Sequence, residues 1–419
     1  MRQYALIALA AMIITWVLSL AVYRIALRFK LYPPIRERDM HSRPTPRLGG
    51  VAMFFGVAAA MLIASFNPFF GVIFDEPGPI LAILGATLLI VVLGIVDDLI
   101  DLDWMIKLAG QFLAAGLIAW LGVQIYSLPI AGRTVGSSWM SFILTVFTIV
   151  LVMNAVNFID GLDGLVGGVA LIANGVFFVY GYLLVRTVSQ YNYFNLSLLI
   201  SAVLLGVCAG FLPLNWHPAK MFMGDAGALL VGLLMATSAI SITGQIDPSA
   251  VENGGDGGVL GGSQLVGAFI PLLLPITILV VPLVDFSLAV FRRLRAGKSP
   301  FSADRLHLHH RLIDMGHSEL HAVLIFYAWT VVISVPCLFL FLFDSYWYAL
   351  VFFLAGVVAC TIATFAPLGR RKRHEVAAQL TPEQETSVEQ RGHDPLDHAV
   401  ADNHTHKADR ASGTEGTSS

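Results

Sequence analysis

ILAILGATLLIVVLGIVDDLIDLD, residues 80–103, joins two kinds of sequence that a soluble protein does not put side by side. From Ile80 to Val96 there is no charged residue, and the run approaches the roughly 20 apolar residues that a helix needs to cross a bilayer. It then stops on Asp97, Asp98, Asp101 and Asp103. Four carboxylates in seven residues repel one another, and they fall where a helix dipole is already negative. The run asks for a bilayer. The acids ask for a positive partner, either a divalent cation or a cationic ligand. Asp103 is readily explained as the N-cap of the next helix, and Asp101 as part of a solvated turn. The adjacent pair Asp97 and Asp98 is read as functional.

Working outward, the same pattern recurs. Eleven segments qualify as spans: Tyr4–Ala26, Leu48–Phe66, Ile80–Val96, Met105–Ile125, Met140–Val156, Leu165–Val185, Leu196–Leu212, Ala226–Ile242, Leu265–Val290, Ala322–Phe343 and Tyr346–Phe365. The ninth carries Pro271, Pro275 and Pro282 and is expected to kink. Composition agrees: 57% of the 419 residues are hydrophobic and 13% charged, against about 25% charged in an ordinary soluble domain. A formal net charge of -3 gives no basic field and excludes nucleic acid as a partner. Cys208, Cys337 and Cys360 sit in apolar runs and read as small buried hydrophobes.

Lysine and arginine set the direction. They crowd the Arg28–Arg47 loop, the Arg292–His321 loop and the start of the tail at Arg370–Arg373. With these on the cytoplasmic side, eleven spans leave the N-terminus outside and the C-terminus inside. The expected fold is an all-α polytopic transmembrane helix bundle. Residues 1–369 form the membrane domain and residues 370–419 a polar, disordered cytoplasmic tail. Ile246–Gln264 is Gly-rich and would be an external loop.

This orientation puts the remaining polar clusters on the face that carries Asp97 and Asp98. Asn154, Asn157, Asp160 and Asp163 recur every third position, and Gly161 and Gly164 end the helix there. Helix capping explains one of the four. The oxygen donors suit a hard cation. Asp225 begins the eighth span, with Asn215 and Phe222 just before it. Phe222 reads as core or as a stacking platform for a base. Lys107 stands one turn into the fourth span, where it reaches a phosphate or snorkels to the interface. Arg305, His307, His309, His310 and Arg311 form a cationic cluster suited to phosphate oxygens. Zinc is the rival reading of those histidines, but thiolates are absent. The sequence has neither a P-loop nor a nucleophile elbow.

Taken in order, Pro44-Thr-Pro46-Arg-Leu-Gly49-Gly50, Asp97-Asp98, Asn154-x-x-Asn157-x-x-Asp160-Gly-Leu-Asp163-Gly164, Phe222-Met-Gly224-Asp225-x-Gly227 and His307-Leu-His309-His310 resemble one family. It is the WecA-like polyprenyl-phosphate N-acetylhexosamine-1-phosphate transferases, which include the phospho-muramoyl-pentapeptide transferase. The resemblance implies a cytoplasmic active site in the cell membrane, a UDP-sugar donor, an undecaprenyl or decaprenyl phosphate acceptor and release of UMP. It implies Mg2+, with Mn2+ as the alternative, held by Asp225 and Asn157. Catalytic roles fall to Asp97, Asp98, Asp160, Asp163, His307, His309 and His310. Substrate-binding roles fall to Lys107, Asn154, Asn215, Phe222, Arg305 and Arg311. His-x-His-His resembles the N-acetylglucosamine branch. Assembly as a homodimer is compatible with the sequence. Direct attack by the lipid phosphate and a two-step route through an aspartyl intermediate both fit these residues. An ion-coupled transporter is the rival from another class, but the acids gather at one membrane surface and not at the midplane.

Overall fold

The computed structural model describes residues 1–32, 45–100, 102–125, 127–130, 133–134, 137–188, 192–243, 315–343 and 345–365, with a few isolated positions between 287 and 313. Arg36, Arg38, Arg43, Asp101, the Gly-rich segment, the proline-bearing ninth span, Arg305, His307, His309, His310, Arg311 and the tail lie outside the described residues.

Ten of the eleven expected spans are helices. They are α1 (Arg2–Phe29), α2 (Gly49–Ser65), α4 (Pro77–Ile100), α5 (Trp104–Trp120), α6 (Ser138–Ile159), α7 (Leu165–Val188), α8 (Asn192–Asn215), α9 (Gly224–Thr243), α10 (Glu319–Leu342) and α11 (Tyr346–Phe365). A one-turn helix α3 (Gly71–Phe74) follows α2. Among the described residues, eight helices are long and apolar enough to cross a membrane, or nine if the bent pair formed by α2 and Pro68–Phe74 counts as one. That pair turns through 93°. Asn67 makes the corner: its side chain accepts the Phe69 N–H at 3.0 Å, and Pro68 follows at the first helical position. α5 is a shorter apolar helix of 17 residues.

The described residues form the expected helical bundle, with one small addition. Between α5 and α6, Ser127–Ile130 (β1) and Arg133–Thr134 (β2) pair as a short antiparallel hairpin. Backbone groups that leave a helix must pair somewhere. A hydropathy reading does not detect so short a strand.

Contacts of Gly49 with Phe222, of Lys107 with Asp97 and Asp225, of Gly164 with Asn215 and of Asn157 with Asp225 bring the N-terminal ends of α2, α5, α7 and α9 and the C-terminal ends of α4, α6 and α8 to one end of the bundle. α9 is the axle. It packs against α2, α4, α6, α7 and α8, and 94% of its membrane stretch is buried, against 11% of α11. Lipid tails are as apolar as leucine, so helices in a bilayer are held by close packing, not by water exclusion. Small residues supply it here. A Cβ on Gly206 would strike the Ala8 carbonyl, and one on Gly210 the Met12 carbonyl, so α8 lies directly on α1. The hydroxyls of Thr237, Ser238 and Ser241 along α9 each bond a carbonyl of their own helix, at 2.7, 2.9 and 2.8 Å. Their burial therefore leaves no orphan. The three cysteines are buried, as expected.

Candidate active site

Two segments more than 170 residues apart are laced together at the shared end of the bundle. Phe222 N–H donates to the Pro46 carbonyl at 2.9 Å, Gly49 N–H to Phe222 O at 3.0 Å, and Gly50 N–H to Met223 O at 2.9 Å. Side chains would interfere with so close an approach. A Cβ on Gly49 would lie 2.7 Å from Phe222 O, and one on Gly50 would lie 2.7 Å from the Ala226 carbonyl carbon. Gly224 has φ +67°, a left-handed turn that suits glycine and lets α9 start immediately. The glycines of the two motifs thus serve one contact, which aims the first turn of α9.

That turn carries Asp225. It stands within the first helical turn and is not the cap. Its Oδ2 accepts from Lys107 Nζ at 2.9 Å, and the same ammonium pairs with Asp97 Oδ2. Asp97 is fixed twice, because its Oδ1 also accepts the Leu102 N–H at 2.9 Å. Exposure separates the two acids. The Asp97 side chain is 7% exposed, whereas Asp225 and Lys107 keep 32% and 28%. A ligand can reach Asp225 and the lysine, but hardly Asp97. Asp103 caps α5, accepting Met105 N–H at 2.8 Å, as the sequence predicted.

Asp98 is different. Its Oδ2 is buried, has no hydrogen-bond partner, and lies against Gly224, where a Cβ would come within 2.5 Å. A buried carboxylate oxygen without a partner is costly. Asp160 caps the C-terminus of α6 outside the span. Burial and the nearby charges of Asp225 and Asp98 push its carboxyl up to about 8, with Arg47 opposing. Asn157, one turn earlier, turns its amide to Asp225. Oxygen donors are the chemistry a hard divalent cation takes, and this end of the bundle offers Asp225 with Asn157 beside it, a buried unpartnered oxygen on Asp98, and an Asp160 carboxyl raised by burial and then by like charge.

The other predicted residues sit around this centre with distinct work. Asn154 faces α5, exchanging amide hydrogen bonds with Gln111 and bonding the Val150 carbonyl at 2.8 Å. Asn215 bridges two loops: it accepts the Gly164 N–H at 3.1 Å and donates to Met221 O at 3.1 Å. Asp163 is buried beneath the Phe222 loop, taking the Ala219 N–H at 2.8 Å on an oxygen that is 3.1 Å from His217 Nδ1. Phe222 itself is half-buried.

Sequence reading missed Gln111, Tyr327, His217 and Glu319. Gln111 had a signal, being an amide inside an apolar span one turn beyond Lys107. Tyr327, whose hydroxyl donates to Gly164 O at 2.6 Å, had none.

Comparisons with known proteins cover the stretch of chain that builds this end of the bundle. The family model described as Glycosyl transferase family 4 matches residues 80–243, the stretch from the start of α4 to the end of α9. The chain is 39% identical to the decaprenyl-phosphate N-acetylglucosaminephosphotransferase of Mycolicibacterium smegmatis, over 88% of this chain and 90% of the relative. It is 37% identical to the protein of that name in Mycobacterium tuberculosis, over the same shares. A probable undecaprenyl-phosphate N-acetylglucosaminyl 1-phosphate transferase of Bacillus subtilis is 32% identical over 76% of this chain and 80% of its own. With such identity across nearly its whole length, and with each described motif gathered at one end of a membrane bundle, the chain belongs to the WecA-like polyprenyl-phosphate N-acetylhexosamine-1-phosphate transferases of glycosyl transferase family 4.

Proposed function

We propose that this membrane phosphotransferase moves N-acetylglucosamine 1-phosphate from UDP-N-acetylglucosamine to a decaprenyl or undecaprenyl phosphate. The products are polyprenyl-diphospho-N-acetylglucosamine and UMP. The observation that carries the proposal is the joining of Asp225, Lys107 and Asp97 across three helices in a chain so similar to transferases of that name. The lysine and arginine bias supports a cell-membrane enzyme whose active site faces the cytoplasm, the side on which nucleotide sugars are made. The reaction would be the first membrane step toward an envelope glycopolymer. Residues 1–369 are proposed as the catalytic unit, residues 370–419 as an appended tail, and a homodimer as the assembly.

The task is to bring two anions together. An oxygen of the lipid phosphate attacks the phosphorus attached to the sugar. The bond from that phosphorus to the bridging oxygen breaks, and UMP carries the electron pair away. A magnesium ion held by Asp225 and Asn157 would supply Lewis-acid charge for the diphosphate. Lys107 adds a second positive charge beside it, and His307, His309, His310, Arg305 and Arg311 are proposed to complete the phosphate contacts. A phosphate monoester is already mostly ionised at neutral pH, so no strong base is needed. Asp98 is better placed than Asp97 to take a residual proton, since Asp97 is committed to Lys107 and to Leu102 N–H. Asn215 and Asp163 shape the loop bearing Phe222, against which the uracil is proposed to stack.

The direct test uses purified protein, radiolabelled UDP-N-acetylglucosamine, polyprenyl phosphate and Mg2+, with and without EDTA. Lipid-linked label and UMP that both vanish with chelator are expected. Turnover with the muramoyl-pentapeptide nucleotide alone would move the protein to the other branch, and no turnover with any nucleotide sugar would end the proposal.

Lys107 permits a sharper measurement. In Lys107→Met, kcat is expected to fall about 100-fold, the size typical of losing one positive or hydrogen-bonding group at a transition state. The half-saturating Mg2+ concentration should not rise, because the competing ammonium has left Asp225. A tenfold increase in Mg2+ requirement would show instead that the lysine organises the metal site.

A further inference from the structure

A second cluster shares none of the residues that hold Asp225, and only its Asp163 has entered the account above, as a support of the Phe222 loop. Asp163 comes from the turn after α6, His217 from the loop after α8, and Glu319 from the first turn of α10. One ligand-type atom from each lies within 4.8 Å of the others. His217 Nδ1 is 3.1 Å from Asp163 Oδ2 and 3.4 Å from Glu319 Oε2. Zinc bonds of roughly 2.0–2.1 Å in a tetrahedron set ligand-to-ligand edges of about 3.4 Å. The two measured separations are already near that edge, without any movement of the backbone.

We infer that Asp163, His217 and Glu319 form a second cation site, selective for a zinc-like divalent transition metal and separate from the magnesium centre. Imidazole selects against magnesium and for zinc or cobalt, and two carboxylates with one imidazole leave a fourth position for water. The burial pattern gives the site a floor and a mouth. The Asp163 side chain is 1% exposed, while His217 and Glu319 keep 36% and 27%. Asp163 also holds the Ala219 N–H, so its orientation is set in advance by a second hydrogen bond, as metal-ligating carboxylates commonly are. A cation here ties the start of α10 to the loop that ends in Phe222. It acts as a structural clasp on the substrate side of the bundle and leaves phosphoryl transfer to the other site.

The test uses the full-length protein in saturating Mg2+, with Co2+ as the probe and with His217→Ala and Glu319→Gln alongside the parent. Histidines of the tail are common to all three forms, so only differences count. The parent is expected to bind one Co2+ more per chain than either variant and to show a visible band of low-coordinate cobalt with a nitrogen ligand. Zn2+ should raise its thermal midpoint by several degrees, and neither variant should respond. Glu319→Gln is isosteric and half-exposed, so it keeps the test valid if His217→Ala folds poorly. Equal Co2+ uptake and equal spectra in parent and Glu319→Gln would overturn the inference, leaving an ion pair between His217 and its two acids.

Discussion

Asp225→Asn is expected to lower kcat by about three orders of magnitude, on the scale of losing a principal electrostatic group in an active site. Asparagine keeps the shape and one oxygen, so the loss is one of charge. Lys107 would keep only Asp97 as a charged partner among the described residues, and Asp97 is buried at the back of the site. The Mg2+ titration is the second readout. Its saturation should flatten or move to far higher concentration, while the thermal midpoint in detergent stays within a few degrees of the parent. A variant with near-normal rate and an unchanged Mg2+ curve would remove Asp225 from the proposed metal set and leave it as a partner of Lys107.

Gly94→Val is expected to be nearly as damaging, without touching a charged group. Gly94, Asp97 and Asp98 stand at i, i+3 and i+4, so the glycine lies one turn below the acids on the same face of α4. A Cβ there would lie 2.8 Å from the Ala226 Cβ and closer still to the Ala226 backbone. Ala226 is also held from the other side by Gly50 of α2. A valine must push α9 from α4 at the turn that carries Asp225. Overpacking of this kind costs about 1–3 kcal/mol, and an ångström of displacement at an active site costs about 100-fold in rate. The expected outcome is a lower thermal midpoint with at least that loss of activity. Gly116→Ala is the control, since its Cβ would meet only Phe142 Cζ at an ordinary 3.9 Å. Parent-like stability and rate in Gly94→Val would show that the crossing of α4 and α9 is slack.

Much of this arrangement was legible before any coordinates. Apolar runs separate cleanly from loops, so ten helices fall where hydropathy placed them. Asp103 announces its cap because a short acid before an apolar run has little else to do. The Asn154 to Asp163 series was harder. Its spacing of three drifts round a helix and its glycines announce an end, but not which neighbour each residue meets: the helix ends at Ile159 and the four face Gln111, Asp225, the carboxylate cluster and His217. Where a helix stops decides which way its last polar residues point, and a turn of glycines marks that stop only to within a residue or two. The Pro46–Gly50 contact with Phe222–Met223 could not be read at all, because main-chain bonds between distant segments leave no pattern in side chains. The Asp163, His217 and Glu319 cluster was hidden for a similar reason, having one member on each of three elements.

The position of α9 bears on how the protein is made. Among the described residues it is the least apolar of the long spans and the most enclosed. Among the described residues, the helices that pack most closely on it, α2, α4, α6, α7 and α8, all precede it in the chain. During synthesis the wall is therefore in the membrane before its centre arrives. The helix that bears Asp225 enters a protein-lined cleft and not open lipid, and no nascent chain shorter than about 225 residues contains a complete carboxylate cluster.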